Sequence, residues 1–414
     1  MDPDGLAALM TPEGWRLLDA LPPYSEDGAL ALGERLRAGG LEPVLVAAAL
    51  TQSRLRSRGR AKFGPFADRM LFTVDGLEQA TRLEVAARHA QRFAAAGVRR
   101  VADLGCGIGG DAMALAGLDR EVVAVEKDEV TAAVATVNLR HFPDAVVRHE
   151  DATRADLAGI DGAFLDPSRR TAGGRRMLDP RRATPPLSFV VELAGRLPAV
   201  GAKVAPGIRH DLVPRRAEAQ WVSVDGDVVE AGLWFGLLAR EGVRRSAVVL
   251  VSGDKVSGDD VSGDEGAVRA STVDDVGMPE PLVGPLGRYL FEPDGAVLRA
   301  GLVGQVAAAV DGHLVDPSIA YVTTDRLPAG GTPLARGYQV LDSMPFGLKR
   351  LRTYLRDQDV GRLTIKKRGT AVEPEQLRRQ LRLSGTAEAT VVLTRLAGQQ
   401  SVLVVRPIET GSAP

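Results

Sequence analysis

The stretch that most constrains this chain is VADLGCGIGGDAMALAG, Val101 to Gly117. An apolar run stops at a glycine-rich turn, and an alanine-rich run starts directly after it. That order suits a backbone that leaves a strand, turns through conformations open to glycine, and enters a helix. Such a turn lets main-chain atoms approach a ligand closely. The stretch therefore predicts an α/β fold with a cofactor at the carboxyl edge of a parallel sheet.

The surrounding pattern agrees. RRVADLG, REVVAVE, AVVRHED, IDGAFLDPS and AKVAPG read as strands, and GDAMALAGL, KDEVTAAVATVNLRHF and LSFVVELAGRLP read as helices between them. Alternation of this kind implies a parallel sheet covered on both faces. Near residues 217 to 240, DGD separates two β-prone runs and predicts a hairpin that closes the sheet. Residues 1–95 carry helical spacing and read as a helical N-terminal extension, with FGPFADRMLFTVDG as loop plus a short extended piece. The α/β domain then covers 96–245. VSGDKVSGDDVSGDE repeats a polar five-residue unit three times. It has too little apolar surface to fold alone, so 246–278 is expected to be a flexible acidic linker or insertion. From 279 to 414 the pattern is an α+β module, with DGAVLRAGLVGQVAAAV reading as helix and ATVVLTRLAGQQSVLVVRPIE as a closing hairpin.

Composition narrows the class. Apolar residues make up 45% and charged residues 25%, ordinary for a soluble globular protein. No long apolar run escapes interruption by charge, so no membrane span is expected. MDPDGLAALM lacks the basic start of a signal peptide, and a cytoplasmic protein is expected. Cys106 is the only cysteine, which excludes an intrachain disulfide and a cysteine-rich zinc site. The five histidines show no ligand spacing, and no metal is expected.

The glycines Gly105, Gly107 and Gly110 satisfy the dinucleotide fingerprint. Gly109 gives a second register, Asp103-x-Gly105-x-Gly107-x-Gly109, which is the S-adenosylmethionine form. An acid on the turn repels a pyrophosphate and attracts a cationic amino-acid end. Asp103 thus favours S-adenosylmethionine over a nicotinamide dinucleotide. Glu126 ends the second strand, where an acid accepts hydrogen bonds from ribose hydroxyls. Asp151 follows the third strand and is placed to meet the adenine amino group. Past the fourth strand comes Asp166-Pro167-Ser168-Arg169, an acid–proline turn that borders both donor methyl and acceptor. Gln79 and Thr81 either cap the helix before the turn or touch the methionine end of the cofactor. Lys62 is placed either for the cofactor carboxylate or for a phosphate.

Together these motifs resemble the bacterial class I S-adenosylmethionine-dependent methyltransferases that carry a C-terminal THUMP-like domain. The resemblance rests on LEQATRLEVA, VADLGCGIGGD, FLDPSRR, DGDVVEAGLWF, YLFEPDGAVLRAGL and GRLTIKKRG, and spans nearly the whole chain. It implies a Rossmann-like methyltransferase core, a helical N-terminal extension and a C-terminal α+β THUMP-like domain. It also implies methyl transfer to RNA, since THUMP domains accompany RNA-modifying enzymes.

The acceptor is less constrained. Methylation at carbon 5 of a pyrimidine needs a thiolate nucleophile. Cys106 lies inside the cofactor turn and reads as a small turn residue, so direct transfer is expected. Asp166, Pro167 and Arg169 form the expected catalytic set. Arg169 stands where enzymes acting on base amines carry a stacking aromatic, and Phe63, Phe66 or the Arg169 guanidinium would have to stack instead. The doublets Arg169-Arg170, Arg175-Arg176 and Arg181-Arg182 suit RNA phosphates in a loop beside the acceptor. Lys366, Lys367 and Arg368, near Arg352 and Arg356 on the preceding helix, give a second basic region for RNA. Trp234 is read as core. Two alternatives stay open: a methyltransferase for protein or a small molecule, and a non-catalytic S-adenosylmethionine-binding protein that binds RNA.

Overall fold

Local signals start the helices of the N-terminal region. Asp2 and Thr11 accept hydrogen bonds from the Gly5 and Gly14 amides, which caps α1 (Pro3–Leu9) and α2 (Pro12–Ala20). Proline opens both helices, and also α4 (Pro43–Phe63), which follows α3 (Ala29–Ala38). Along α4, Leu45, Ala48, Gln52, Leu55, Gly59 and Phe63 recur at helical spacing and are buried. α5 (Val74–Gln79) and α6 (Leu83–Ala95) complete the region.

The computed structural model describes residues 2–168, 179–253, 268–328 and 331–408. Contacts divide the chain into two units, one of 1–217 with 232–241 and the other of 218–231 with 242–414.

In the first unit, β1 (Arg100–Leu104), α7 (Gly110–Ala116), β2 (Glu121–Glu126), α8 (Glu129–Leu139), β3 (Ala145–His149), β4 (Gly162–Leu165), α9 (Leu187–Ala194) and β5 (Ala199–Val204) alternate as expected. Their parallel order is β3-β2-β1-β4-β5. β1 pairs with β2 on one side and β4 on the other, so the winding reverses there and opens a crevice at the carboxyl ends. A single apolar cluster runs from Leu6 and Leu9 through Phe63, Phe72 and Phe93 to Val101, Phe164 and Trp234. The helices of 1–95 therefore share one core with the sheet instead of forming an appendage. Trp234 is 1% exposed, which matches its reading as core.

The extended piece Met70–Phe72 shows how that core tolerates a loop. Buried backbone must find partners. Here Gln52 bonds both the amide and carbonyl of Phe72, at 2.9 and 2.7 Å. Asn138 does the same for Leu71, and Arg56 donates to Met70 O. Side-chain amides replace a neighbouring strand.

The second unit contains β6 (Glu218–Val224), the first half of β7 (Asp227–Gly236), β8 (Arg245–Val251) and β9 (Arg269–Asp274). Asp225 and Gly226, with φ of 54° and 92°, form the tight turn before β7. β8 runs parallel to β6 and antiparallel to β9. Residues 246–278, expected to be a flexible linker or insertion, therefore include most of β8 at their start and all of β9 near their end. The short apolar run SAVVLV carries that signal beside the more conspicuous repeat, and residues 254–267, most of the repeat, lie outside the described residues.

A second sheet follows, built from β10 (Tyr289–Pro293), β11 (His313–Asp316), β12 (Ile319–Thr324), β13 (Ala335–Pro345), β14 (Val360–Lys367), β15 (Ala387–Leu396) and β16 (Gln399–Pro407). Its order is β11-β12-β10-β13-β16-β15-β14, with β14 and β15 parallel. The run read as one helix after Asp294 is two, α10 (Gly295–Ala300) and α11 (Val303–Ala309). Gly301, at φ 71°, ends the first in a left-handed cap. α12 (Leu348–Asp357) and α13 (Pro374–Leu381) bring Leu351, Leu355, Leu377 and Leu381 into one cluster with Val391, Leu393, Val402 and Val404.

Candidate cofactor and acceptor site

The glycine turn is tied down by β2: the amides of Gly105 and Cys106 both donate to Val125 O, at 2.9 and 3.0 Å. Gly105, Gly107 and Gly109 have φ of 87°, 57° and 88°, which L side chains adopt only with strain. A Cβ on Gly107 would meet nothing within 4 Å, and one on Gly105 would meet only Asp166 O, at 3.4 Å. The turn after β1 is thus an open cradle, with the acid–proline turn after β4 against its side.

Three acids lie at this edge, with Asp103 inside β1 and not on the turn itself. Glu126 accepts from the Gly107 amide at 3.1 Å and from the Asp128 amide at 2.9 Å, so two main-chain groups hold its carboxylate. Asp151 is exposed beyond β3, and its Oδ1 accepts from the Thr153 amide and hydroxyl. Asp103 is 1% exposed, and its Oδ2 has no hydrogen-bond partner. Burial, then the charges of Asp111 and Asp166, push its carboxyl well above the usual range.

Asp166 is half-buried. Its Oδ2 accepts from Lys203 Nζ at 2.7 Å. Lys203 also donates to Thr81 Oγ1 at 3.0 Å, Thr81 donates to Asp111 Oδ2 at 2.7 Å, and His89 Nδ1 lies 2.7 Å from Asp111 Oδ1. The His89 ring packs on Phe164 and Trp234, with centroids 4.7 and 5.6 Å away. Burial raises the Asp111 pKa, but the His89 contact and the Lys203 charge outweigh it and hold the carboxyl below its ordinary value.

Lys203, Asp111 and His89 were not anticipated. A signal did exist: Lys203 interrupts AVGAKV, whose six residues are all buried. Thr81 does not cap α6, which begins after Arg82 without a side-chain cap. Gln79 is exposed at the end of α5. Lys62 serves neither anticipated role, since its ammonium donates to the carbonyls of Leu77, Glu78 and Ala80 at 2.7–2.8 Å. Burial and the Lys203 charge push its pKa down to about 8. Phe63 cannot stack on a base, because it is fully buried against Gly110 and Phe72, whereas Phe66 is 56% exposed. Burial raises the Cys106 thiol well above its ordinary value, unlike an activated nucleophile.

Pro167 is buried, and Ser168 pairs with Thr184 in an isolated antiparallel bridge. Arg169, Arg170, Arg175 and Arg176 lie outside the described residues. Arg181 pairs with Asp179 at 2.8 Å.

In the second unit the basic triplet is divided between ion pairs. Lys366 meets Glu292 Oε2 at 2.6 Å, and Arg368 lies 3.7 Å from Glu292 Oε1. These cations sit over the rings of Tyr338 and Tyr321. Lys367 pairs separately with Glu373 at 2.6 Å.

The residues fit S-adenosylmethionine. The cradle is open, Asp103 keeps an unmet buried oxygen, and acids predominate at the edge where a ligand with ammonium and sulfonium charges would lie. The fold and site define a class I, Rossmann-like methyltransferase. Residues 335–407 match the family described as THUMP domain-like, and residues 2–59 match a domain of unknown function. An S-adenosylmethionine-dependent methyltransferase of Mycobacterium tuberculosis, described as uncharacterized, is 37% identical over 376 residues; the match covers 87% of this chain and 95% of that protein. A candidate methyltransferase from Porphyromonas gingivalis W83 shares the fold. Its TM-score is 0.68 at 20% identity, covering 94% of this chain and 100% of that one. The chain belongs to the S-adenosylmethionine-dependent methyltransferase family, with a THUMP-like domain at its C-terminus and S-adenosylmethionine as cofactor. Among the described residues no group of histidine, cysteine or acidic side chains could hold a metal, and no helix is long and apolar enough to cross a membrane.

Proposed function

We propose that this enzyme methylates a base of RNA in the cytoplasm, by direct transfer and without a covalent enzyme intermediate. The observation that carries the reading is the contact between the two turns: the Cβ position of Gly105 lies 3.4 Å from Asp166 O. Donor and acceptor would meet there. The cofactor supplies an electrophilic methyl group on sulfur, and holding the acceptor in line with it provides most of the rate. Gly105, Gly107 and Gly109 bind through their backbone, Glu126 takes the ribose hydroxyls, Asp151 the adenine amine and Asp103 the ammonium. Thr81 supports this end from behind, and Gln79 borders it. Asp166, with Pro167 and Arg169, faces the acceptor. Arg170, Arg175 and Arg176 contact phosphate, and Lys366, Lys367 and Arg368 extend the RNA surface.

Support for RNA comes from the THUMP domain-like match and the arginine doublets. The ion pairing of Lys366 and Arg368 favours a second reading, transfer to a protein or small molecule. Tritium transfer from labelled S-adenosylmethionine into size-fractionated RNA and total protein from cells lacking the gene separates them. Label in one RNA band, lost with Glu126→Ala, supports the RNA reading. Label only in protein overturns it.

A further inference from the structure

We infer that Lys203 is a positioning residue for methyl transfer: its buried ammonium sets the Asp166 carboxylate and, through Thr81, braces it against Asp111 on the helix that follows the glycine turn. This rests on the reading that Asp166 faces the acceptor.

A lysine in a fully buried strand is costly unless its charge is met. Lys203 is 6% exposed at its side chain and Asp166 is 24% exposed, so the ammonium lies beneath the carboxylate and the carboxylate reaches toward the crevice. Lys203 engages Oδ2. Among the described residues Oδ1 accepts no hydrogen bond, which leaves it for an acceptor that brings a donor. The direction of the second arm is determined as well. Lysine has only donors, so the Thr81 hydroxyl must accept from it and direct its own proton to Asp111. Asp111 is fixed in turn by His89. The five groups come from the turn after β4, β5, the segment between α5 and α6, α6 and α7. One ammonium thus joins the acceptor turn to the cofactor turn, and a small displacement of Asp166 would be felt as lost alignment.

A double-mutant cycle tests this. Lys203→Met, Asp166→Asn and the pair are compared in tritium transfer to the RNA and protein fractions above, with S-adenosylhomocysteine affinity from calorimetry. Lys203→Met should lower the turnover of bound substrate about 100-fold and change cofactor affinity by no more than about threefold. In the Asp166→Asn background it should cost nothing further, and Lys203→Arg should recover part of the rate. Losses that multiply, in an enzyme sensitive to Asp166→Asn, overturn the positioning role alone. Full activity of Asp166→Asn instead removes the reading of Asp166 beneath it. If Lys203→Met does not fold, Lys203→Gln carries the same cycle. Should no fraction take label, crystal structures of wild type and Lys203→Met with S-adenosylhomocysteine decide: the Asp166 carboxylate should move by about 1 Å or more, and an unmoved carboxylate overturns the inference.

Discussion

Two lysine–carboxylate pairs of nearly equal length sit in opposite surroundings. Lys203 and Asp166 are 2.7 Å apart, and Lys366 and Glu292 are 2.6 Å apart. Around the first, hydrogen-bonding capacity is left over: Asp103 Oδ2 has no partner, and the glycine turn opens onto free space. Around the second it is nearly closed. Arg368 approaches the other Glu292 oxygen, the Tyr338 hydroxyl donates to Oε2 at 3.3 Å, and both cations rest on aromatic rings. The Tyr321 hydroxyl there, a neutral group, lacks a partner among the described residues. An ion pair does not mark a site by its presence. Unmet polar groups around it do, because burying them without a ligand is unfavourable.

Breaking the first region should have the largest effect. Asp166→Ala is expected to reduce methyl transfer about 100-fold or more, measured under saturating cofactor; a rate near wild type would remove Asp166 from the acceptor. Glu126→Ala should weaken S-adenosylmethionine binding by about 1.5–3 kcal/mol, the range for hydrogen bonds to a charged group, read by calorimetry.

The second region should respond in stability. Glu292→Ala leaves two partly buried cations without their shared partner and should cost about 2–3 kcal/mol in urea unfolding, below the figure for fully buried pairs because these side chains retain some water contact. An unchanged unfolding midpoint would mean that the pairing contributes little to the fold, and would strengthen the assignment of Lys366 and Arg368 to the RNA surface.

A pH series sharpens the contrast. The raised Asp103 pKa means that the folded chain binds this proton more tightly than the unfolded one. Wild type therefore loses stability as pH rises above the unfolded value near 3.8. Asp103→Asn escapes that loss, so it should be more stable than wild type at pH 7, with the gap closing toward pH 4. Its cofactor affinity should fall at the same time. A gap that does not vary with pH would contradict an uncompensated carboxyl at this position. The smallest effect belongs to Lys367→Ala, since its pair with Glu373 is exposed: stability should change by less than about 0.5 kcal/mol. If Lys367 contacts RNA phosphate, the salt dependence of RNA binding should lose about one unit of slope.

Features encoded within a few residues were legible in the sequence. The turn at Gly105–Gly109, the alternation from β1 to β5, the Asp225–Gly226 hairpin and the acids at Asp103, Glu126 and Asp166 follow from glycine conformations and side-chain periodicity. β8 and the break at Gly301 were lost among stronger neighbouring signals. Phe63, Lys62 and Thr81 were recognised as notable residues, but their partners were not foreseen.

The sequence by itself determined the order of strand, turn and helix, the acidic character of the edge and the choice of cofactor, because each depends on local conformation or on a charge at a fixed spacing. Only the tertiary structure decided which charges meet. Lys203 reaches Asp166 across 37 residues and Thr81 across 122, and Lys366 reaches Glu292 across 74. Strand order and helix packing bring those atoms together, and no pattern within a short window encodes which side chains will share one buried position.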